Sequence, residues 1–471
     1  MSIFTRRSRS PEESERPEDA RHTPWQLFAY GSQHILTMYG GVIAPPIIVG
    51  GAAGLSVTDI GLLVTASLFV SGLATLVQTL GFGPFGSKLP IVQGISFAGV
   101  STMVATASTG GLRPVLGSII VAGLIGLVLS SFVAQLVRLF PAVVTGSIIT
   151  VIGLSLMPVS FGWAMGNDPG KPDYGSMGNI GFAGLTLIII LVISRLFQGA
   201  ISRLSILIGL GVGTVVAICA GKTDFSSVGT AKIVAPPQLF HFGTPTFEIG
   251  AIIAMTVVIL VTLIETTADI LTIGEIVGTP VDERRVADGL RADMLSTTIA
   301  PVFGSFTCSA FAQNVGLVAL TGIKSRFVVA TGGLILVLLG LLPVVGAVVA
   351  GIPYPVLGGA GLVLFGSVAA SGIRTLAKVD FQDNLNMVIV AVGVGVGLIP
   401  VAAPKFWDAF PDMVGVVLNS GISATAIVAV LLNLAFNEWK FGRRPGASVF
   451  AAASDAEARL PEQTRIPDGH H

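Results

Sequence analysis

LPIVQGISFAGV (residues 89–100) is apolar enough to lie in a bilayer, yet Pro90, Gln93, Gly94 and Ser96 interrupt it too often for one continuous helix. TCSAFAQNVGLVAL (307–320) has the same character, with Ser309, Gln313, Asn314 and Gly316 set among apolar residues. Each reads as a short extended piece followed by a half-helix. Backbone that leaves the helix at membrane depth is tolerated only inside protein or around a cavity. Two such segments in corresponding positions of two halves mark a solute site near the membrane midplane.

The rest of the chain agrees with a bilayer setting. Of 471 residues, 52% are hydrophobic and 11% charged, and the mean hydropathy is +0.85. Soluble domains carry about 25% charged residues, so most of this surface must face lipid. The 59 glycines suit helices that approach closely where lipid supplies no hydrophobic drive between them. Apolar runs of spanning length fall near 25–49, 57–80, 89–107, 113–138, 140–163, 180–197, 203–221, 247–277, 286–304, 307–322, 325–351, 354–376, 381–402 and 416–437. The expected fold is therefore an all-α polytopic membrane protein with fourteen transmembrane segments, the third and tenth broken.

Several functions are disfavoured. A net charge of +0 gives no reason to expect a nucleic-acid partner. Cys219 and Cys308 make neither a disulfide framework nor a metal site, and no cofactor is expected. GLGVG (209–213) lies inside an apolar run, so it reads as helix packing rather than a nucleotide fingerprint. Residues 1–24 are polar with no signal-peptide core and read as a disordered cytoplasmic tail, as do residues 438–471.

An even number of spans puts both tails on one side. Loops on that side carry 11 Lys and Arg, among them Lys88, Arg138, Arg285 and Arg326, against 5 on the far side, Arg113, Lys171, Lys222, Lys232 and Lys405. This bias places the tails in the cytoplasm. The chain also repeats: Gln313 follows Phe97 by 216 residues, and YPVLGG (354–359) echoes FPAVVTG (140–146). Halves of seven spans have opposite orientation, which predicts a seven-plus-seven inverted repeat.

Ionisable residues within a bilayer are costly and functional by default. VTLIETTADILTIGE places Thr262, Glu265, Asp269 and Thr272 at spacings of 3, 4 and 3, on one helical face. Two carboxylates one turn apart repel when both are ionised, so one should hold a proton or meet a cation or a donor ligand. The bland alternative is a carboxylate bonded to helix ends. Glu265, near mid-span, is the main candidate for solute binding, and Asp269 could orient its neighbours. His34 is either a proton relay or a satisfied interior residue. Asp293 shares a face with Ser296 and Thr297 and is expected to be internal, in a coupling or hydrogen-bonding role. Phe97 opens the first half-helix and offers a flat face to a planar solute, although most membrane aromatics only pack. Gln313 and Asn314 open the second half-helix, where free N–H groups and an amide suit a heterocycle with carbonyl and N–H edges. No catalytic pairing of nucleophile and base is evident.

QNVGLVALTG (313–322) resembles the signature of the nucleobase–ascorbate transporters, also called nucleobase:cation symporters-2, at Gln313, Asn314, Gly316, Thr321 and Gly322. ETTADILTIGEIVG (265–278), QHILTMYGG (33–41) and LPIVQGISFAGV resemble that family's eighth, first and third spans, so the resemblance covers about residues 25–437. It implies a core domain from 25–138 and 247–351, a gate domain from 139–221 and 354–437, and a homodimer through the gate. It implies that Glu265 binds ring nitrogens, Gln313 reads another edge, Phe97 stacks, and backbone near Ser96 and Ala312 completes the pocket. It assigns orientation and coupling to His34, Asp269, Asp293 and Asn314. Glutamine at 313 resembles the xanthine and uric acid branch more than the uracil branch. Uptake of a purine nucleobase driven by protons, with sodium less favoured, is the resulting expectation. A uracil carrier of the same family and a sulfate-permease-like anion exchanger are the alternatives; the short C-terminal tail and the acidic pocket weigh against the exchanger.

Overall fold

The computed structural model describes residues 16–132, 139–223, 225–382 and 384–438. Residues 1–15 of the expected N-terminal tail, Arg138 and the C-terminal tail from 439 onward lie outside the described residues. Among the described residues, the regular elements are helices apart from two three-residue strands. Among the described residues, eight helices are long and apolar enough to cross a membrane, or nine if one sharply bent pair is a single span.

Local sequence explains where these helices start. Thr23 caps α1 (Pro24–Ala52) in a reciprocal box with Gln26, and Pro24 occupies the first turn, where its missing N–H costs nothing. Ser56 caps α2 (Val57–Leu80), and Ser71 and Gln78 are buried within it. The strand β1 (Gln93–Ile95) and a 3-10 turn, Phe97–Gly99, lead into α3 (Val100–Gly110). Then follow α4 (Leu112–Leu129), α5 (Ala142–Met165), α6 (Met177–Leu196), α7 (Ser205–Cys219) and α8 (Ile249–Val277). The second half continues with α9 (Glu283–Ile299), β2 (Cys308–Ala310), α10 (Ala312–Thr321), α11 (Arg326–Gly340) and α12 (Pro343–Ala350). It closes with α13 (Tyr354–Leu376), α14 (Asn384–Ala402), α15 (Asp412–Asn419) and α16 (Gly421–Asn433).

The helices fall into two packed groups. In one, α2 packs on α1, α11 and α12, while α4 packs on α8 and α9. In the other, α5 lies along α13, with α6, α7, α14 and α16 around them. The α5–α13 contact is close because Gly153 faces the backbone of Ala369, where a Cβ would overlap it. Ile188, Leu191 and Val215 on α6 and α7 stay exposed, as residues facing lipid should.

Four expectations need correction. The run 325–351 is not one helix: α11 and α12 meet at 81°, because Pro343 has no N–H to continue the ladder. The run 416–437 starts earlier and breaks at Ser420, whose backbone is extended and whose hydroxyl caps α16 by accepting from the Ser423 N–H. The run 286–304 becomes α9, which carries Arg284, Arg285, Asp288, Arg291 and Asp293 and is not among the apolar spanning helices. It packs against α2 and α4.

The fourth correction concerns residues 16–23, which are ordered where disorder is expected. Pro17–Asp19 forms a 3-10 turn that docks on the bundle. Glu18 is 1% exposed and accepts from Arg285 at 2.8 Å and from Thr279 at 3.0 Å. Asp19 accepts from Arg326 at 2.6 Å, and Ser325 donates to the Ala20 carbonyl. The same arginines reach backbone carbonyls, Arg285 at Ser87 and Lys88 and Arg326 at Thr79 and Leu80. The acidic turn thus compensates two cations that tie α2 and the approach to β1 to α9 and α11. Arg285→Ala is expected to lower the stability of the detergent-solubilised protein by roughly 3 kcal/mol, the scale for stranding a buried charge. A thermal unfolding scan checks this, and an unchanged midpoint would mean that Glu18 leaves its site freely.

Candidate functional site

The two broken segments meet. β1 and β2 pair antiparallel, Gln93 opposite Ala310, Gly94 opposite Ser309 and Ile95 opposite Cys308. Backbone bonds extend the crossing, from Ser96 N–H to the Thr307 carbonyl at 2.8 Å and from Phe311 N–H to Val92 at 3.1 Å. The extended backbone is thereby satisfied without water, as the bilayer interior requires. Both half-helices begin beside this crossing, so their first-turn N–H groups converge on one region. The Ser96 hydroxyl caps the first, accepting from the Ala98 N–H at 3.3 Å.

Helix α8 packs against the Phe97–Gly99 turn, β2 and α10, and so carries Glu265 to the crossing. Glu265 is half-buried, and among the described residues no hydrogen bond reaches its carboxylate. Asp269, one turn on, is half-buried as well. Thr262 and Thr272, expected to share their face, spend their hydroxyls on carbonyls of their own helix. Gln313 and Ala312 in the first turn of α10 are exposed, and Phe97 is half-buried.

The remaining candidates are bonded into the scaffold. The buried His34 ring pairs through Nδ1 with the Asn314 side-chain oxygen, and Asn314 donates its amide N–H to the Pro90 carbonyl at 3.0 Å. This joins α1, α10 and the segment before β1. Asp293, fully buried, accepts from the Thr266 hydroxyl at 2.7 Å, and that hydroxyl accepts from the Ala310 N–H at 3.3 Å. Asp293 thus holds the end of β2 through α8. Thr297, on the same face of α9, accepts from the Cys308 N–H at 3.0 Å. Among the described residues, no cluster of His, Cys, Asp and Glu could hold a metal ion.

Several contributors escaped the sequence reading. Thr266 lies off the Glu265–Asp269 face and becomes visible only through its partner on α9. The Phe311 ring, 6.4 Å from that of Phe97, is buried against Gly41 and Gly94. Its position directly before the half-helix, matched by glycines in the first and third segments, is the signal that could have found it. From the second helix group, the Phe365 ring lies 6.2 Å from that of Phe97, and Trp163 lies 6.3 Å beyond it from Phe365. The site therefore lies where the two helix groups meet. A half-buried carboxylate, an exposed amide and a flat ring between aromatic neighbours suit a planar heterocycle with N–H and carbonyl edges.

Known proteins share the sequence and the fold. Residues 25–406 match the family model described as the Permease family, Xan_ur_permease. The xanthine permease of Bacillus subtilis (strain 168) is 40% identical over 440 residues, 93% of this chain and 98% of its own. The uric acid transporter UacT of Escherichia coli (strain K12) is 38% identical over 422 residues, 89% of this chain and 87% of its own. Among solved structures, the transmembrane domain of a cyanobacterium bicarbonate transporter, BicA, superposes with a TM-score of 0.55 at 13% identity, over 87% of this chain and 97% of that one. The inward-facing anion transporter murine solute carrier 26 family member A9 superposes with a TM-score of 0.59 at 13% identity, over 88% of this chain and 69% of that one. At such identity the two structures speak to the fold alone.

Proposed function

The chain belongs to the nucleobase–ascorbate transporter family, and from that premise we propose that it takes up xanthine or uric acid by alternating access coupled to protons. It is a membrane transporter, not an enzyme. Relatives named for xanthine and uric acid support the purine over uracil. The observation that carries the site is the strand crossing, where two half-helices start beside Glu265 with its carboxylate unpaired. In this reading ring N–H groups donate to Glu265, the Gln313 amide reads a second edge, Phe97 stacks on the ring, and backbone at Ser96 and Ala312 closes the pocket.

The fold reading is fourteen spans in two inverted halves. It is supported by the strand-then-helix order of both broken segments and by their antiparallel pairing. The first helix group is the core domain and the second the gate domain, with a homodimer through the gate. Both termini lie in the cytoplasm and the chain sits in the plasma membrane. His34 with Asn314, and Asp293 with Thr266, hold the core's broken segments in place as it moves.

Coupling follows from charge. Moving Glu265 and Asp269 across the bilayer interior while ionised is costly, and a bound proton removes that cost. Uptake of radiolabelled xanthine is expected to collapse with a protonophore and to persist when sodium is replaced by potassium. Sodium dependence with protonophore resistance would overturn proton coupling.

A further inference from the structure

A cavity of about 550 Å³ opens on the face of the bundle opposite the docked N-terminal turn. Val57 and Thr58 of α2 and Ala350 at the end of α12 line it from the first helix group, and Asn179 and Tyr354 with the loop residues Lys171 and Lys222 line it from the second. The volume lies within the roughly 300–1,000 Å³ range of small-molecule pockets. Lys171 and Lys222 are both exposed, and among the described residues neither is engaged in an ion pair. Among the described residues, the lining sets these two lysines against one carboxylate, Asp173.

The floor of this cavity leads inward through aromatic rings. Tyr354 lies 6.4 Å from Trp163, Trp163 6.3 Å from Phe365, and Phe365 6.2 Å from Phe97. Trp163 and Phe365 are buried. A flat solute held between two rings needs about 7 Å, two stacking contacts of roughly 3.5 Å. These rings are closer than that and inclined to one another, so the row is shut.

We propose that the cavity is a first-contact site for a purine anion, and that Trp163 and Phe365 part to pass the base from Tyr354 to Phe97. The proposal rests on the purine-transport reading. Uric acid is a monoanion near neutral pH, whereas xanthine is largely neutral at mildly acidic pH. The lysines concentrate the anion at the mouth, and Tyr354 offers it a ring face. The acidic inner site then receives it along the aromatic row.

The test is initial-rate uptake by cells expressing the full chain, comparing urate with xanthine at mildly acidic pH. Lys171→Gln with Lys222→Gln is expected to raise the urate KM about threefold to tenfold at unchanged maximal rate, the scale of electrostatic focusing. Lys171→Glu with Lys222→Glu raises it further. The fall of native urate uptake with added salt flattens in the glutamine variant and reverses in the glutamate variant, where salt screens a repulsion, and xanthine uptake does not move. An unchanged urate KM, or an equal shift for neutral xanthine, overturns the proposal. Failure of the unmodified chain to take up any purine is a separate result, and it removes the transport reading and this site together.

Discussion

Glu265→Gln is expected to weaken xanthine binding by about 100-fold or more while the protein still inserts and elutes as a folded species. Ring N–H groups that donate to a carboxylate make charge-assisted bonds, each worth roughly 1.5–3 kcal/mol. The amide keeps the shape but offers one acceptor and turns two N–H donors toward the ring. One lost bond already accounts for a tenfold effect or more, and a donor facing a donor adds to it. Since no hydrogen bond from another described residue reaches Glu265, the substitution breaks nothing in the scaffold. Calorimetric titration of purified protein separates the outcomes. Unchanged affinity would remove Glu265 from the site, and loss of folding would make it structural.

Gly94→Val is expected to abolish uptake and lower stability by about 1–3 kcal/mol, the range for overpacking. Gly94 sits in β1 opposite Ser309, and a Cβ there would overlap the Phe311 ring. Gly41 on α1 faces the same ring, so Phe311 cannot retreat toward α1. It must move toward Phe97 or pull its strand from the crossing. Either displaces Phe97, the ring on which we propose that the base stacks. Phe311→Ala together with Gly94→Val is expected to recover part of the stability, because the overlapping ring is gone. Uptake and unfolding temperature measured on the two variants check this, and full uptake by Gly94→Val alone would show that the crossing tolerates the side chain.

Much of this architecture is legible in the chain because a bilayer imposes strict backbone accounting. The polar and glycine interruptions at 89–100 and 307–320 could not be ordinary spans, and they form the paired strands and half-helices. The interior position of Asp293 was legible for a similar reason, since a carboxylate there must find a partner. Which partner was not legible. Thr266 is on another helix, off the face that Glu265 and Asp269 define, and spacing along one helix says nothing about rotation of its neighbour. The aromatic row from Tyr354 to Phe97 was hidden because each ring alone reads as packing. The basic residues Arg285 and Arg326 entered the reading as loop charges, although both are bonded to a turn expected to be disordered. Pro343 could have signalled the break between α11 and α12, but its apolar surroundings masked it.

The most direct measurement is counterflow of radiolabelled xanthine into proteoliposomes that hold the purified chain and are preloaded with unlabelled xanthine, with urate, uracil and bicarbonate as competitors. Saturable accumulation suppressed by xanthine and urate, little affected by uracil and indifferent to bicarbonate, is the expected result. No counterflow of any purine, or accumulation suppressed by bicarbonate but not by urate, would contradict purine transport by this chain.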